Sequence, residues 1–187
     1  MNLIKHPVDI LISVVSGCLI LIGSGCAAGP HELVTYDQDS DRTRFTSERV
    51  HAGNISMTGG LATGQRIMLQ AFASCTGEAC TPDEIDLAFF NDTSADLNFD
   101  YRRVSIEFDG REVEWEDLGR RTEPIFYSVP RGELLRVPIS PNDFAAMVEA
   151  DRVEIRFGIS GGTVVRVPDG AREPLRAMAD AIAARGS

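Results

Sequence analysis

Residues 104–115 read Val-Ser-Ile-Glu-Phe-Asp-Gly-Arg-Glu-Val-Glu-Trp. Val104, Ile106 and Phe108 alternate with polar residues up to Asp109-Gly110, and Val113 and Trp115 resume the alternation beyond it. A period of two sends alternate side chains to opposite faces of a strand, and Asp-Gly suits the positive φ angles of a two-residue hairpin loop. With Asp109 and Gly110 as the loop, Ile106 stands opposite Val113 and Val104 opposite Trp115. Both pairs then share one face, so the stretch predicts a hairpin laid over a core.

The same period runs outward from this hairpin. Upstream, Leu97, Phe99 and Tyr101 alternate on odd positions, and the phase changes at Arg102-Arg103. A phase change predicts a bulge or a strand break, with the two arginines in solvent. Residues 66–74 place Ile67, Leu69, Ala71 and Ala73 on one face, and residues 84–91 repeat the pattern with Ile85, Leu87 and Phe89. These predict a strand pair joined through Cys75 and Cys80. Nearer the start, residues 32–36 read as a first strand. Residues 42–45 and 48–51 read as short polar edge strands, and the Gly-rich residues 57–64 as a loop.

Downstream, residues 126–129 and 133–139 are β-type around the turn Pro130-Arg131-Gly132. Ser140-Pro141-Asn142-Asp143 is a helix start, with Ser as N-cap, Pro at the first helical position and an acid in the first turn. Phe144, Met147 and Val148 then fall on one helical face. Val153, Ile155 and Phe157 form a strand whose return is residues 163–167. A two-residue loop would set Phe157 against Arg166. A three-residue loop, Ser160-Gly161-Gly162, is therefore expected, pairing Phe157 with Val165 and Ile155 with Val167. Leu175, Met178, Ala179 and Ile182 stripe a C-terminal helix expected to begin near Pro174. No internal repeat is visible.

The fold class expected is mainly β: an antiparallel two-sheet β-sandwich with a short inserted helix and a C-terminal helix. That last helix would cover an open end or a sheet face. A closed barrel is the alternative.

Ahead of this domain, residues 10–26 read ILISVVSGCLILIGSGC. The apolar run from Ile10 to Ile22 is about 13 residues, short of the ~20 that a spanning helix needs, and suits a signal h-region. The polar start carries Lys5 and Asp9. Ile22-Gly23-Ser24-Gly25-Cys26 resembles the lipobox of bacterial lipoproteins, with Gly23 where that family usually has Leu. The resemblance implies cleavage before Cys26 after its sulfur has been acylated. Val15-Ser16-Gly17-Cys18 matches locally, but cutting there would leave an apolar LILI run on the mature chain. The alternatives are an uncleaved N-terminal anchor and a signal without lipid. The expected layout is a signal peptide over 1–25, a lipidated tether over 26–33 and a single domain over 34–187. Two or three acyl chains hold a protein stably where one does not. Ala27 follows the cysteine where an Asp would resemble an inner-membrane retention signal. The expected location is therefore the bacterial cell envelope, lipid-anchored at the outer membrane and facing the periplasm.

About 160 residues remain after the signal, enough for one domain with a core. The net charge is −10. Such a surface repels phosphate backbones and anionic head groups, so nucleic acid is excluded as a partner and the membrane is met through lipid. Cys18 would leave with the signal and Cys26 carry lipid. Cys75 and Cys80, separated by Thr-Gly-Glu-Ala, are then expected to form a structural disulfide in an oxidising compartment. Free thiols, or redox or metal work, are the alternatives. The two other mature candidates for metal, His31 and His51, are too few for a zinc site.

Three constellations bear on chemistry. Gly158-Ile159-Ser160-Gly161-Gly162 fits the G-x-S-x-G pattern and resembles the serine-protease active-site motif, with Ile159 where that family has Asp. The elbow needs a strand leading into a helix, whereas two strands flank this one, so a glycine loop is expected. Asp37, Asp39 and Asp41, with Glu48 at the twelfth position from Asp37, have the spacing of an EF-hand calcium loop. Arg42 stands where that loop needs Gly, Arg44 replaces the apolar residue, and no helices flank it. A solvated acidic turn is the alternative to a Ca²⁺ site. Glu112, Glu114, Glu116 and Asp117 surround Trp115, but on a strand the three glutamates share the outward face, which is ordinary patterning rather than a catalytic carboxylate pair.

Val34-Thr35-Tyr36-Asp37 with Asp41-Arg42-Thr43, then Val153-Glu154-Ile155-Arg156-Phe157-Gly158 and the helix over 175–182, give the chain a resemblance to uncharacterised bacterial envelope lipoproteins. It covers the two ends better than the middle and implies no activity, no catalytic residue and no cofactor. The expectation is a membrane-tethered, non-enzymatic interaction or structural module with an envelope protein as partner. The alternative is a small-ligand or Ca²⁺-binding envelope domain.

Overall fold

The computed structural model describes residues 32–56, 63–91, 103–116, 118, 134–158 and 163–186. Ten strands and two helices follow one another: β1 (Val34–Asp37), β2 (Arg42–Thr46), β3 (Val50–Ser56), β4 (Thr63–Thr76), β5 (Ile85–Asn91), β6 (Arg103–Phe108), β7 (Arg111–Glu116), β8 (Leu134–Ile139), α1 (Pro141–Glu149), β9 (Val153–Phe157), β10 (Thr163–Arg166) and α2 (Asp169–Arg185). They form two antiparallel sheets. The first runs β1-β2-β4-β5-β8, with β3 also on β4, and the second runs β10-β9-β6-β7. The architecture is the sandwich that the period-two pattern implies.

β4 is the long spine of the first sheet. Phe72 pairs both with Thr46 of β2 and with Asp86 of β5. Leu69 pairs both with Val50 of β3 and with Phe89 of β5. β2 and β3 therefore share one flank of β4, as a single interrupted strand. At the interruption Ser47 is fully buried. Its amide donates to the Ala71 carbonyl at 3.0 Å, and its Oγ accepts from the Ala71 amide at 2.9 Å. A side-chain oxygen thus takes the place of a ladder carbonyl at the bulge.

The two sheets meet face to face. Ile67, Leu69 and Leu87 of the first sheet, and Val104, Ile106 and Ile155 of the second, are almost entirely buried in one cluster. Burying each such side chain is worth about 1.5–3 kcal/mol. The Phe89 and Phe157 rings join the layers edge to face, with centroids 5.4 Å apart. At one margin the Trp115 indole donates to the Pro138 carbonyl at 2.7 Å, linking β7 to β8. At the other margin a Cβ on Gly53 would stand 2.6 Å from Val165 Cγ1, so β3 and β10 approach too closely there for any side chain.

The hairpin over β6 and β7 has the expected register, Ile106 opposite Val113 and Val104 opposite Trp115. Asp109 has φ 46° and Gly110 φ 81°, the positive angles the turn requires. The Asp109 carboxylate also accepts from the amides of Asp151 and Arg152, tying the turn to the start of β9.

Several boundaries differ from expectation. The β9–β10 pairing sets Thr163 opposite Phe157 and Val165 opposite Ile155. The pairing is therefore slipped by two residues from the expected one of Phe157 with Val165, and Gly158 leaves the ladder at φ 101° with its amide on the Arg103 carbonyl. β3 begins at Val50 and runs on to Ser56, and β1 begins at Val34. α1 matches its predicted start: Ser140 Oγ accepts from the Asp143 amide, and Phe144, Met147 and Val148 are buried. α2 begins at Asp169, five residues before Pro174, which lies inside it. Of the loop expected over 57–64, residues 57–62 lie outside the described residues, as do the odd-phase residues 97–102 and the segment over 126–133, while Thr63 and Gly64 belong to β4 rather than to a loop.

Candidate functional site

Cys26, the signal segment and the lipobox lie outside the described residues, as do Asp117, His31 and Ser160. Cys75 and Cys80 are joined, with an S–S length of 2.03 Å. Their loop is held from three sides. Thr43 Oγ1 donates to the carbonyls of Gly77 and Glu78, the Gly77 amide donates to the Asp41 carbonyl, and Arg185 at the end of α2 donates to the Glu78 carbonyl.

The acidic turn is not arranged around a cation. Asp37 Oδ1 accepts from the amides of Asp39 and Ser40, and Oδ2 accepts from Ser40 Oγ at 2.8 Å. These bonds, the Ser40 hydroxyl first, hold its carboxyl below the usual carboxylate range. Asp41 instead accepts from the Tyr36 hydroxyl at 2.7 Å, which raises the phenol. Glu48 is exposed beside the Ser47 bulge. Among the described residues no three His, Cys, Asp or Glu side chains form a metal group. Asp37, Asp39, Asp41 and Glu48 are therefore not brought together as a calcium loop: backbone amides take Oδ1 of Asp37, the Ser40 hydroxyl takes Oδ2, and Asp41 turns to Tyr36.

Glu112, Glu114 and Glu116 share the outer face of β7, with Glu114 paired to Arg103. The same outer face carries a second ionic group that the sequence reading did not single out. Glu154 accepts from Arg152 at 2.6 Å, from Arg166 at 3.1 Å and from Arg156 at 3.2 Å, and Arg156 continues to Glu107 at 2.8 Å. Glu154 is only 7% exposed because arginines lie over it, not because it is deep. Arg152, Glu154 and Arg156 alternate along one strand, and that i, i+2 spacing was the available signal. Every cation after Lys5 is an arginine, the side chain whose planar fork best holds carboxylates.

A polar cleft lies on the outer face of the first sheet. Its floor is β4, through Phe72 and Ser74. One wall is β2, which presents Arg42 and Arg44, and the other is Asp86 of β5 with Asp83 and Glu84 of the preceding loop. The cleft measures about 410 Å³, within the range of small-molecule sites. Arg42 donates to Ser74 Oγ at 3.1 Å. Among the described residues Asp83, Glu84 and Asp86 enter no side-chain hydrogen bond or ion pair. A second hollow, of about 320 Å³, lies between Arg152, Arg166, Pro168 and Arg172. Its cations are already engaged, by Glu154 and by backbone carbonyls. The only large hydrophobic side chain exposed among the described residues is Val164. No family model, curated protein or solved structure matches the chain.

Proposed function

We propose that this chain is a lipid-tethered module of the bacterial cell envelope that works by binding rather than by catalysis. The observation that carries the reading is the Cys75–Cys80 disulfide downstream of Gly23-Ser24-Gly25-Cys26. A disulfide in a small domain persists in an oxidising compartment, and the apolar run ahead of Cys26 is the route to one. Binding is favoured over catalysis by the state of the carboxylates. Glu114 and Glu154 are spent on arginines, and Asp37 on backbone amides. None of these stands beside a nucleophile as a poised acid or base.

The test is fractionation of cells carrying the full chain, with Cys26→Ser as control. The wild type partitions with membranes, and its N-terminal peptide carries the mass of a diacylglycerol. The Cys26→Ser chain loses both. Equal membrane partition of the two would remove the lipid anchor from this reading. Amine-reactive cross-linkers have no lysine to attack beyond Lys5. Partners are therefore sought with a photoreactive residue at Val164 or Arg156 on the outer face of the second sheet.

A second reading, small-ligand binding, is favoured by one observation. The cleft over β4 holds opposed charges that the fold itself does not neutralise.

A further inference from the structure

We infer that the cleft over β4 binds a zwitterion, an amino acid or a whole short peptide that offers one ammonium and one carboxylate. The inference rests on the reading of this chain as a binding module. Arg42 and Arg44 stand on one wall, and Asp83, Glu84 and Asp86 on the other. The walls are two strand spacings apart, about 10 Å, a gap that long arginine side chains and one small zwitterion fill together. A simple anion would meet the guanidiniums but also three carboxylates. A simple cation would meet the reverse. Only a ligand carrying both charges finds a partner for each, which is selection by repulsion as well as by attraction.

Two further features fit this ligand. Phe72 forms the floor beside Ser74 and lies beneath Arg136, whose guanidinium is 5.5 Å from the ring centroid. An apolar side chain of the ligand would rest there. The acidic wall is also positioned in advance. Asp83 and Glu84 follow the disulfide-closed loop, which Thr43 and Arg185 clamp from β2 and α2. Fixing this loop before binding removes an ordering cost from association. The hollow beside Arg172 offers no comparable case, because its arginines are consumed by Glu154 and by the carbonyls of α1.

The walls are open to solvent, so screening limits each ion pair, and an affinity near the millimolar range is expected. The experiment is calorimetric titration of the detergent-solubilised full chain with the dipeptide Ala-Phe, its N-acetyl form, its C-terminal amide and free phenylalanine. Ala-Phe or phenylalanine should bind saturably, and each capped dipeptide about fivefold more weakly or worse. Arg44→Gln should weaken the free dipeptide but not its amide, and Asp86→Asn the free dipeptide but not its N-acetyl form. Phenylalanine binding as tightly as the dipeptide assigns a free amino acid, and tighter dipeptide binding assigns a short peptide held by both its termini. The inference is overturned if no free form binds, if capped and free forms bind alike, or if both variants bind as the wild type does. Unfolding midpoints read by Trp115 fluorescence establish that each variant is folded. Loss of zwitterion binding with Cys26-dependent membrane partition intact removes this inference alone. Loss of the partition alone removes the tether.

Discussion

Arg172 of α2 is buried against the end of α1, where its guanidinium donates to the carbonyl of Ala150. It also reaches the Val148 carbonyl, to which Arg176 donates at 2.8 Å. α1 has no basic residue in its own last turn, and its C-cap, Ala150, is extended. Two arginines of α2 thus supply the cationic cap that the C-terminal carbonyls of α1 lack. Replacing Arg172 by Leu keeps apolar bulk and strands those carbonyls. The expected cost is about 2–4 kcal/mol, read as a lower urea midpoint from Trp115 fluorescence. Arg176→Leu should cost less, since that side chain is 31% exposed. Equal stability of Arg172→Leu and wild type would contradict the capping role.

Glu154 makes stability depend on pH in a definite direction. Hydrogen bonds from Arg152, opposed in part by burial and helped by Arg166, lower its carboxyl from the ordinary value. A lowered folded-state value contributes stability above the unfolded-state value, about 4.3, and that stability is lost as pH falls through the folded-state value. Glu154→Gln should therefore be less stable than wild type at neutral pH, with three arginines left facing one another. The gap between the two proteins should close as pH falls below about 4. Urea midpoints across that range check it, and a gap that does not change with pH would refute the assignment.

The hairpin register was legible because one face of it is buried and Asp109-Gly110 leaves no choice of loop. The β9–β10 loop was not, for a physical reason. A slip of two residues keeps Val165 and Val167 on the same face, so hydrophobic periodicity cannot tell the two registers apart. The start of α2 was hidden by Pro174, which reads as a first helical residue. Inside the helix it forfeits one hydrogen bond, to the Gly170 carbonyl. Arg172 was hidden because it continues the buried stripe of Leu175, Met178 and Ile182 one turn earlier as a charged residue, which hydrophobic periodicity does not count. The cleft was invisible for a topological reason. Arg42 and Arg44 lie some forty residues from Asp83, Glu84 and Asp86, and only pairing on both flanks of β4 makes them face each other.

Gly53 carries a steric prediction. A methyl there would meet Val165 Cγ1 at 2.6 Å and the Arg166 carbonyl at 3.3 Å. Gly53→Ala should therefore push β3 and β10 apart and cost about 1–3 kcal/mol. Gly170, in the first turn of α2, has nothing within 4 Å of its added methyl. Gly170→Ala should be neutral or stabilise by up to about 1 kcal/mol. Thermal unfolding of the two variants beside wild type separates a packing effect from a general intolerance of alanine.

The disulfide closes a loop of only a few residues, so chain entropy assigns it about 2 kcal/mol. Thr43, Asp41 and Arg185 also hold the loop by hydrogen bonds, so its loss should loosen the segment without unfolding the sandwich. The Cys75→Ser/Cys80→Ser chain should melt lower than wild type in the absence of reductant and be indifferent to reductant. Wild type should fall toward it when reduced. Asp83 and Glu84 follow this loop, so the reduced protein should also bind Ala-Phe more weakly while Arg42 and Arg44 keep their places on β2. If reduction lowers the melting temperature but leaves zwitterion binding unchanged, the disulfide stabilises the fold without positioning the acidic wall. Asp86, which sits on β5 and not on the loop, would then carry the ammonium contact by itself.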